Sequence, residues 1–178
     1  MTKLKKRLHA TPLLAVLCLM IAGTGAAFAR HALTANSNAP TGHAIVKVKL
    51  DGSVRRAQAN LPLVKAGAVN PGETLDWKIT NANEGDGAAR DYKVVGQIPA
   101  GTTFIAGSTS ADGGATVTYS IDHGQTFDAQ PTIAEKQADG TVKRVAAPIA
   151  LYTQVRYEWA DPLAAGGMLT ASYQVRVK

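Results

Sequence analysis

Leu169-Thr170-Ala171-Ser172-Tyr173-Gln174-Val175-Arg176-Val177 is the stretch that decides how this chain folds. Leu169, Ala171, Tyr173, Val175 and Val177 occupy every second position, with polar side chains between them. Successive side chains of a β-strand point to opposite faces, so a period of two gives one apolar and one polar face, whereas a helix needs a period near 3.6. The same period recurs upstream in Val46, Val48 and Leu50, in Leu75, Trp77 and Ile79, in Val117, Tyr119 and Ile121, and in Val155, Tyr157 and Trp159. Tyr92, Val94 and Ile98 share a parity that Gly96 interrupts. Turn-forming residues separate the runs: Asn70-Pro71-Gly72, Gly85-Asp86-Gly87, Pro99-Ala100-Gly101, Asp112-Gly113-Gly114, Asp139-Gly140 and Gly166-Gly167. Short alternating strands with such punctuation predict an all-β antiparallel sandwich. Residues 128–150 are the least periodic and read as a long connection holding a short strand over 141–145. Trp77 and Trp159 are the largest inward candidates, and truncating Trp77 to alanine is expected to cost about 3–5 kcal/mol.

The amino-terminal residues have a different character. A basic stretch (Lys3, Lys5, Lys6, Arg7) precedes an apolar run over 13–22, and small residues lead to Ala27-Phe28-Ala29. That is the layout of a signal peptide over 1–29, with cleavage expected between Ala29 and Arg30. The alternative is an uncleaved anchor, which would be the chain's one route to a membrane. Residues 12–29, interrupted by Gly23, Thr24 and Gly25, fall short of the roughly 20 apolar residues of a spanning helix. Residues 30–42 are small and polar and read as a flexible arm, leaving 43–178 for the sandwich. The chain is thus expected to be exported, to the periplasm, the medium or the cell surface.

Export changes the composition that matters. Cys18, the one cysteine, lies in the leader, so the mature chain would hold neither a disulfide nor a thiolate. The net charge of +6 falls to +2, because four of the 19 basic residues and none of the 13 acidic ones lie in the leader. The basic excess that would suggest a nucleic-acid partner goes with it. With 46% hydrophobic and 18% charged residues, the remainder can form a core and is not a disordered chain.

Catalytic equipment is sparse. His31, His43 and His123 have no zinc-type spacing. No nucleophile elbow or phosphate-binding loop occurs. Of the carboxylates Asp86, Asp91, Asp112, Asp122, Asp128, Glu158 and Asp161, most sit at turns, where aspartate is ordinary, and a glycosidase needs two across a cleft. Asn81, Asn83, Glu84 and Asp86 crowd one segment with oxygens that suit calcium, but without EF-hand glycine spacing they read better as a solvated turn. Arg55-Arg56 and Lys143-Arg144 read as solvent-facing charge. No catalytic, cofactor-binding or metal-ligating residue is assigned, and no enzyme is expected. Ser120-x-Asp122-x-Gly124-x-Thr126-Phe127 resembles the Asp-box of sialidase-type propellers, with Phe127 in the tryptophan position. A single copy cannot build a propeller, so it is expected to be a structural hairpin in which Asp122 accepts backbone amides, Gly124 supplies the turn and Phe127 pins it to the core.

Residues 70–108, NPGETLDWKITNANEGDGAARDYKVVGQIPAGTTFIAGS, resemble the bacterial surface repeat known as the domain of unknown function 11. The resemblance lies in the Asn70-Pro71-Gly72 turn, the strand over 75–81, the turn over 83–87, the strand over 92–98 and the Ile98-Pro99-Ala100-Gly101-Thr102-Thr103-Phe104 step. Asp76-Trp77 and the long Asn81-to-Gly85 segment depart from its usual pattern. The later residues look like the end of single-copy exported members. The resemblance implies an immunoglobulin-like antiparallel sandwich of about seven to eight strands, outside the cytoplasm and without an established activity. The expected role is a non-enzymatic structural or protein-interaction module of the bacterial cell envelope, with another envelope or surface protein as partner. The alternative is a carbohydrate-binding or adhesion domain using loop aromatics such as Tyr152. The outer strand near 44–50 could pair within the domain, with another copy or with a different protein, and no apolar docking patch is evident.

Overall fold

The computed structural model describes residues 42–57 and 59–178; the leader, its cleavage point and the arm up to residue 41 lie outside them. The chain forms β1 (Val46–Arg56), β2 (Ala59–Pro62), α1 (Leu63–Ala66), β3 (Thr74–Asn83), β4 (Lys93–Gln97), β5 (Thr102–Phe104), β6 (Ser110–Ala111), β7 (Thr116–Ser120), β8 (Thr132–Lys136), β9 (Val142–Ala146), β10 (Gln154–Glu158) and β11 (Met168–Val177). One sheet runs β2-β1-β3-β11-β5, with β6 also on β11, and a second runs β4-β10-β7. All pairings are antiparallel. The architecture is an all-β antiparallel sandwich.

Seven strands (β1, β3, β4, β5, β7, β10, β11) carry the sandwich, and four accessory ones bring the total to eleven. β2 and β6 are short additions to the larger sheet. In the long connection, β9 falls on the short strand expected over 141–145, and β8, which was not expected, pairs with it in a hairpin, Glu135 opposite Lys143 and Ile133 opposite Val145. Its mixed, half-exposed side chains leave little alternation in the sequence.

The alternation places the core as expected. Val54, Leu75 and Val175 lie side by side in one row of the larger sheet, and Ile79 and Ala171 in another. All are buried against Val155, Tyr157 and Trp159 of the β4-β10-β7 side. Each buried aromatic finds a partner for its polar end. The Tyr157 hydroxyl donates to the Ser172 carbonyl at 2.6 Å, the Tyr173 hydroxyl to the Gln97 carbonyl at 2.5 Å, and the Trp159 indole N–H to the Asp112 carbonyl at 2.6 Å. Burial pushes the Tyr157 and Tyr173 hydroxyls well above the ordinary tyrosine range. The break at Gly96 is explained too, since a Cβ there would overlap the Tyr173 ring.

Trp77 departs from its expected place. Its parity points it inward, but it is only partly buried at the margin of the core. Gly52 lies opposite it, and a Cβ at Gly52 would fall 2.6 Å from Leu63 and 2.8 Å from the Trp77 ring. Trp77 therefore packs in the space beside a glycine, under α1, with its indole N–H buried and unpartnered. Nearby, Arg56 is not simple surface charge. It binds Glu73 at 2.7 Å and the carbonyls of Ala66 and Ala68 at 2.8 Å each, holding the segment after α1 against β1. That pairing, with an Asn70 amide, lowers the Glu73 carboxyl to about 2.

Candidate functional site

The Asp-box residues form a closed hairpin after β7. Asp122 accepts the Thr126 amide at 2.9 Å, the Thr126 hydroxyl at 2.6 Å and the Ser120 hydroxyl at 2.7 Å. Ser120 in turn accepts the Gly124 amide at 2.8 Å. These donors, led by the Thr126 hydroxyl, hold the Asp122 carboxyl down at about 2. Gly124 takes φ +91° and His123 beside it φ +59°. Phe127 differs from expectation: its ring lies under the Arg156 guanidinium, 4.4 Å away, rather than in the buried core. Arg156 sits on the outward parity of β10, so the hairpin is fastened to the outside of that sheet.

The Asn81-to-Asp86 segment is not a loop of free oxygens. Asn81 and Asn83 belong to β3 and are buried. Asn83 Oδ1 accepts the Ile45 and Gly85 amides at 3.1 Å each, and its Nδ2 donates to the carbonyls of Gly87, Leu163 and Ala164. Asn81 bridges the Tyr92 hydroxyl and the Leu169 carbonyl. Glu84 pairs with Lys47 at 2.6 Å, and Asp86 accepts the His43 amide at 2.7 Å. These groups tie residues 43–45 to the turn, and Gly42, assigned to the arm, packs on Asp86 and Gly87.

The remaining candidates are dispersed. His43 and His123 are exposed, and His31 lies outside the described residues. Among the described residues no group of three His, Cys, Asp or Glu side chains stands close enough to hold a metal, and no helix is long and apolar enough to cross a membrane. Asp112 accepts the Thr170 amide, and Arg55 pairs with Asp76 at 3.2 Å. Lys143 and Arg144 are exposed on β9. Tyr152 stacks on Phe104 at 5.9 Å and lies 5.1 Å from Tyr119, so its ring joins an aromatic cluster.

One feature does converge, on the outer strand near 44–50, where the sequence shows no apolar docking patch. In the row Leu50–Ile79–Ala171, exposure is 53% at Leu50, 2% at Ile79 and zero at Ala171. Cover thus stops at β3, and Val48 and Leu50 show their apolar side chains to solvent on β1. The backbone there is open as well. The Glu84 amide donates to the Ile45 carbonyl at 2.8 Å, which marks Ile45 and Glu84 as a hydrogen-bonded pair. Such pairs alternate along an antiparallel ladder. Lys47, Lys49 and Asp51 therefore bond to β3, while Val46, Val48, Leu50 and Gly52 aim their N–H and C=O groups the other way. β2 meets that edge only from Ser53 onward. Over 46–52 no described strand takes it.

Edge lysines usually discourage strand addition. Here they are matched: Lys47 by Glu84 at 2.6 Å and Lys49 by Asp51 at 3.0 Å, on the face opposite Val48 and Leu50. Among the described residues, the fold is an antiparallel sandwich in which no strand covers the β1 edge over 46–52. No family model, curated protein or solved structure matches the chain.

Proposed function

We propose that this chain is an exported, non-enzymatic module of the bacterial cell envelope that works by protein interaction, accepting a strand on the open edge of β1. The observation that carries the reading is the coincidence of outward backbone groups at Val46, Val48, Leu50 and Gly52 with exposed Val48 and Leu50 side chains. Backbone bonds give strand addition its affinity and alternate side chains its specificity. The basic–apolar–small layout of residues 1–29 supports export. A role without catalysis is supported by the carboxylates of Asp86, Asp112 and Asp122, which are engaged in holding backbone amides. The likeness to the domain of unknown function 11 belongs to the same proposal. Its Pro99-Ala100-Gly101-Thr102 step forms a turn, with the Thr102 amide on the Pro99 carbonyl at 3.1 Å and Gly101 at φ +79°.

Fractionation of the host with a carboxy-terminal tag, with mass spectrometry of the amino terminus, tests the first half. Arg30 as first residue, outside the cytoplasm, is expected; an intact leader in the cytoplasm overturns export. Photo-crosslinking from position 48 in the same cells tests the second half, and adducts of defined mass are expected.

A carbohydrate-binding role is the second reading. It is favoured by a depression of about 690 Å³ beside β1, β3 and β11, lined by Asp76, Lys78, Ser172 and Gln174 together with Leu63 and Trp77. Retention on glycan or peptidoglycan that survives high salt and is lost in Asp76→Ala would support it.

A further inference from the structure

We propose that the open edge of β1 takes a strand of a different protein in which apolar and acidic residues alternate. The proposal rests on reading that edge as an interaction surface, and it names the chemistry of the partner.

The length of free edge limits what can dock. The Glu84 and Gly87 amides donate to the Ile45 and His43 carbonyls at 2.8 and 3.3 Å, while the Ile45 and His43 amides donate to the Asn83 and Asp86 side chains. Ala44 between them is turned the other way and continues the outward series of Val46, Val48 and Leu50. β2 bounds the run at its other end. Pro62 stands beside Ser53, and Leu63 leaves no room for a Cβ on Gly52. A strand laid against 44–50 therefore spans about 20 Å and leaves the edge before Ser53.

The two faces of the run set different requirements. Residues directly opposite in a ladder point to the same face. Partner side chains opposite Val46, Val48 and Leu50 thus share the face on which Val48 is 55% and Leu50 53% exposed, and apolar residues there give both the cover that the sandwich does not. The other face carries Lys47 and Lys49, with side chains 68% and 74% exposed. Glu84 answers Lys47 at 2.6 Å. Lys49 reaches Asp51 at 3.0 Å, but Asp51 also stands directly opposite Lys78 on β3. Three lysines share two carboxylates, so positive charge is in surplus beside the edge. A carboxylate opposite Lys47 or Lys49 is attracted and a lysine repelled. Edge lysines usually turn strands away; these admit the strands that bring carboxylates at alternate positions. A second copy of this edge brings no carboxylate along 44–50, only lysines, so the partner is a different chain.

The test uses two capped, fluorescein-labelled heptapeptides, Val-Glu-Val-Glu-Val-Thr-Val and Val-Lys-Val-Lys-Val-Thr-Val, titrated against the purified chain by fluorescence anisotropy. The acidic peptide is expected to bind about tenfold more tightly or better at low salt, because two cross-strand pairs change from unlike to like charge. Lys49→Glu leaves the Lys47–Glu84 pair in place and gives each peptide one match and one mismatch, so the difference is expected to vanish. Hydrogen exchange locates the peptide. The Val46, Val48 and Leu50 amides, which make no bond to β3, are expected to slow on binding, and the Lys47 and Lys49 amides to stay as they were. Failure of the acidic peptide to bind, slowing elsewhere than at 46, 48 and 50, or a preference unmoved by Lys49→Glu overturns the inference. Equal binding of both peptides with slowing at 46, 48 and 50 overturns the acidic preference and leaves the edge as an interaction surface. The crosslink from position 48 judges that broader reading separately, since its failure leaves no partner of any charge.

Discussion

Tyr173 of β11 lays its ring where Gly96 of β4 has no side chain, and its hydroxyl donates to the neighbouring Gln97 carbonyl at 2.5 Å. This contact joins the two sheets near the middle of the core. Gly96→Val forces a branched side chain into the ring, and overpacking of this kind costs about 1–3 kcal/mol. Tyr173→Phe keeps the packing and removes one buried hydrogen bond, about 1 kcal/mol. Pairing Gly96→Ala with Tyr173→Leu should recover part of the loss of either alone, since residues in contact do not add independently. Urea midpoints measure all of these, and a wild-type midpoint for Gly96→Val would put the ring elsewhere.

The two tryptophans should separate in the same assay. Trp159 is 2% exposed, lies 5.8 Å from Tyr92 and 6.3 Å from Tyr157, and spends its N–H on Asp112. Its truncation to alanine should cost about 3–5 kcal/mol. Trp77, at the margin, should cost less than the sequence alone suggests. Trp77→Phe removes an indole N–H that is buried without a partner, so the denaturation midpoint should stay close to wild type. A large drop for Trp77→Phe would mean that this N–H has an acceptor.

Asn83 is the buried polar residue on which the start of the domain depends. Truncating it removes a partner from two amides and three carbonyls, of which those of Leu163 and Ala164 keep the Ala89 and Gly167 amides. Each buried group left unsatisfied costs about 1–3 kcal/mol, and partial rehydration near the surface keeps Asn83→Ala toward about 3 kcal/mol in all. Hydrogen exchange should accelerate first at the Ile45 and Gly85 amides. Unchanged protection there would show that residues 43–45 are held by something else.

Strands and turns were legible because each is written locally. The period of two in 169–177 and the glycines and prolines between the runs need no tertiary information. What escaped depends on which strand lies over which. Val48 and Leu50 alternate just as Leu75 and Ile79 do, and only the extent of the opposing cover leaves the first pair exposed. Asn81 and Asn83 read as part of a solvated turn because asparagine favours turns; their use as buried struts follows from distant carbonyls at Leu163, Ala164 and Leu169. Arg56 beside Arg55 offered no sign that one would hold the segment after α1 and the other pair on the surface with Asp76. Phe127 matched a motif, yet its cover is a cation from the next sheet position.

The pH dependence follows from these same contacts. Glu73 is held near 2 by Arg56 and the Asn70 amide, and Asp122 near 2 by Thr126 and Ser120; Asp139 is lowered by Thr141. An unfolded chain returns such groups to about 4.3 for glutamate and 3.9 for aspartate. Their folded values are depressed, so their contribution is present in full above about pH 5 and is lost as the pH falls from about 4 toward 2. Tyr157 and Tyr173 act at the other end. Burial raises them, so the unfolded chain ionises first and stability drops as the pH rises past about 10. Urea midpoints taken from pH 2 to 11 should therefore give a plateau with two falling limbs. Glu73→Gln lowers the plateau and makes the acid limb shallower, because one of the carboxylates that must take up a proton is gone. An acid limb of unchanged steepness in that variant would show that Arg56 does not hold Glu73 ionised.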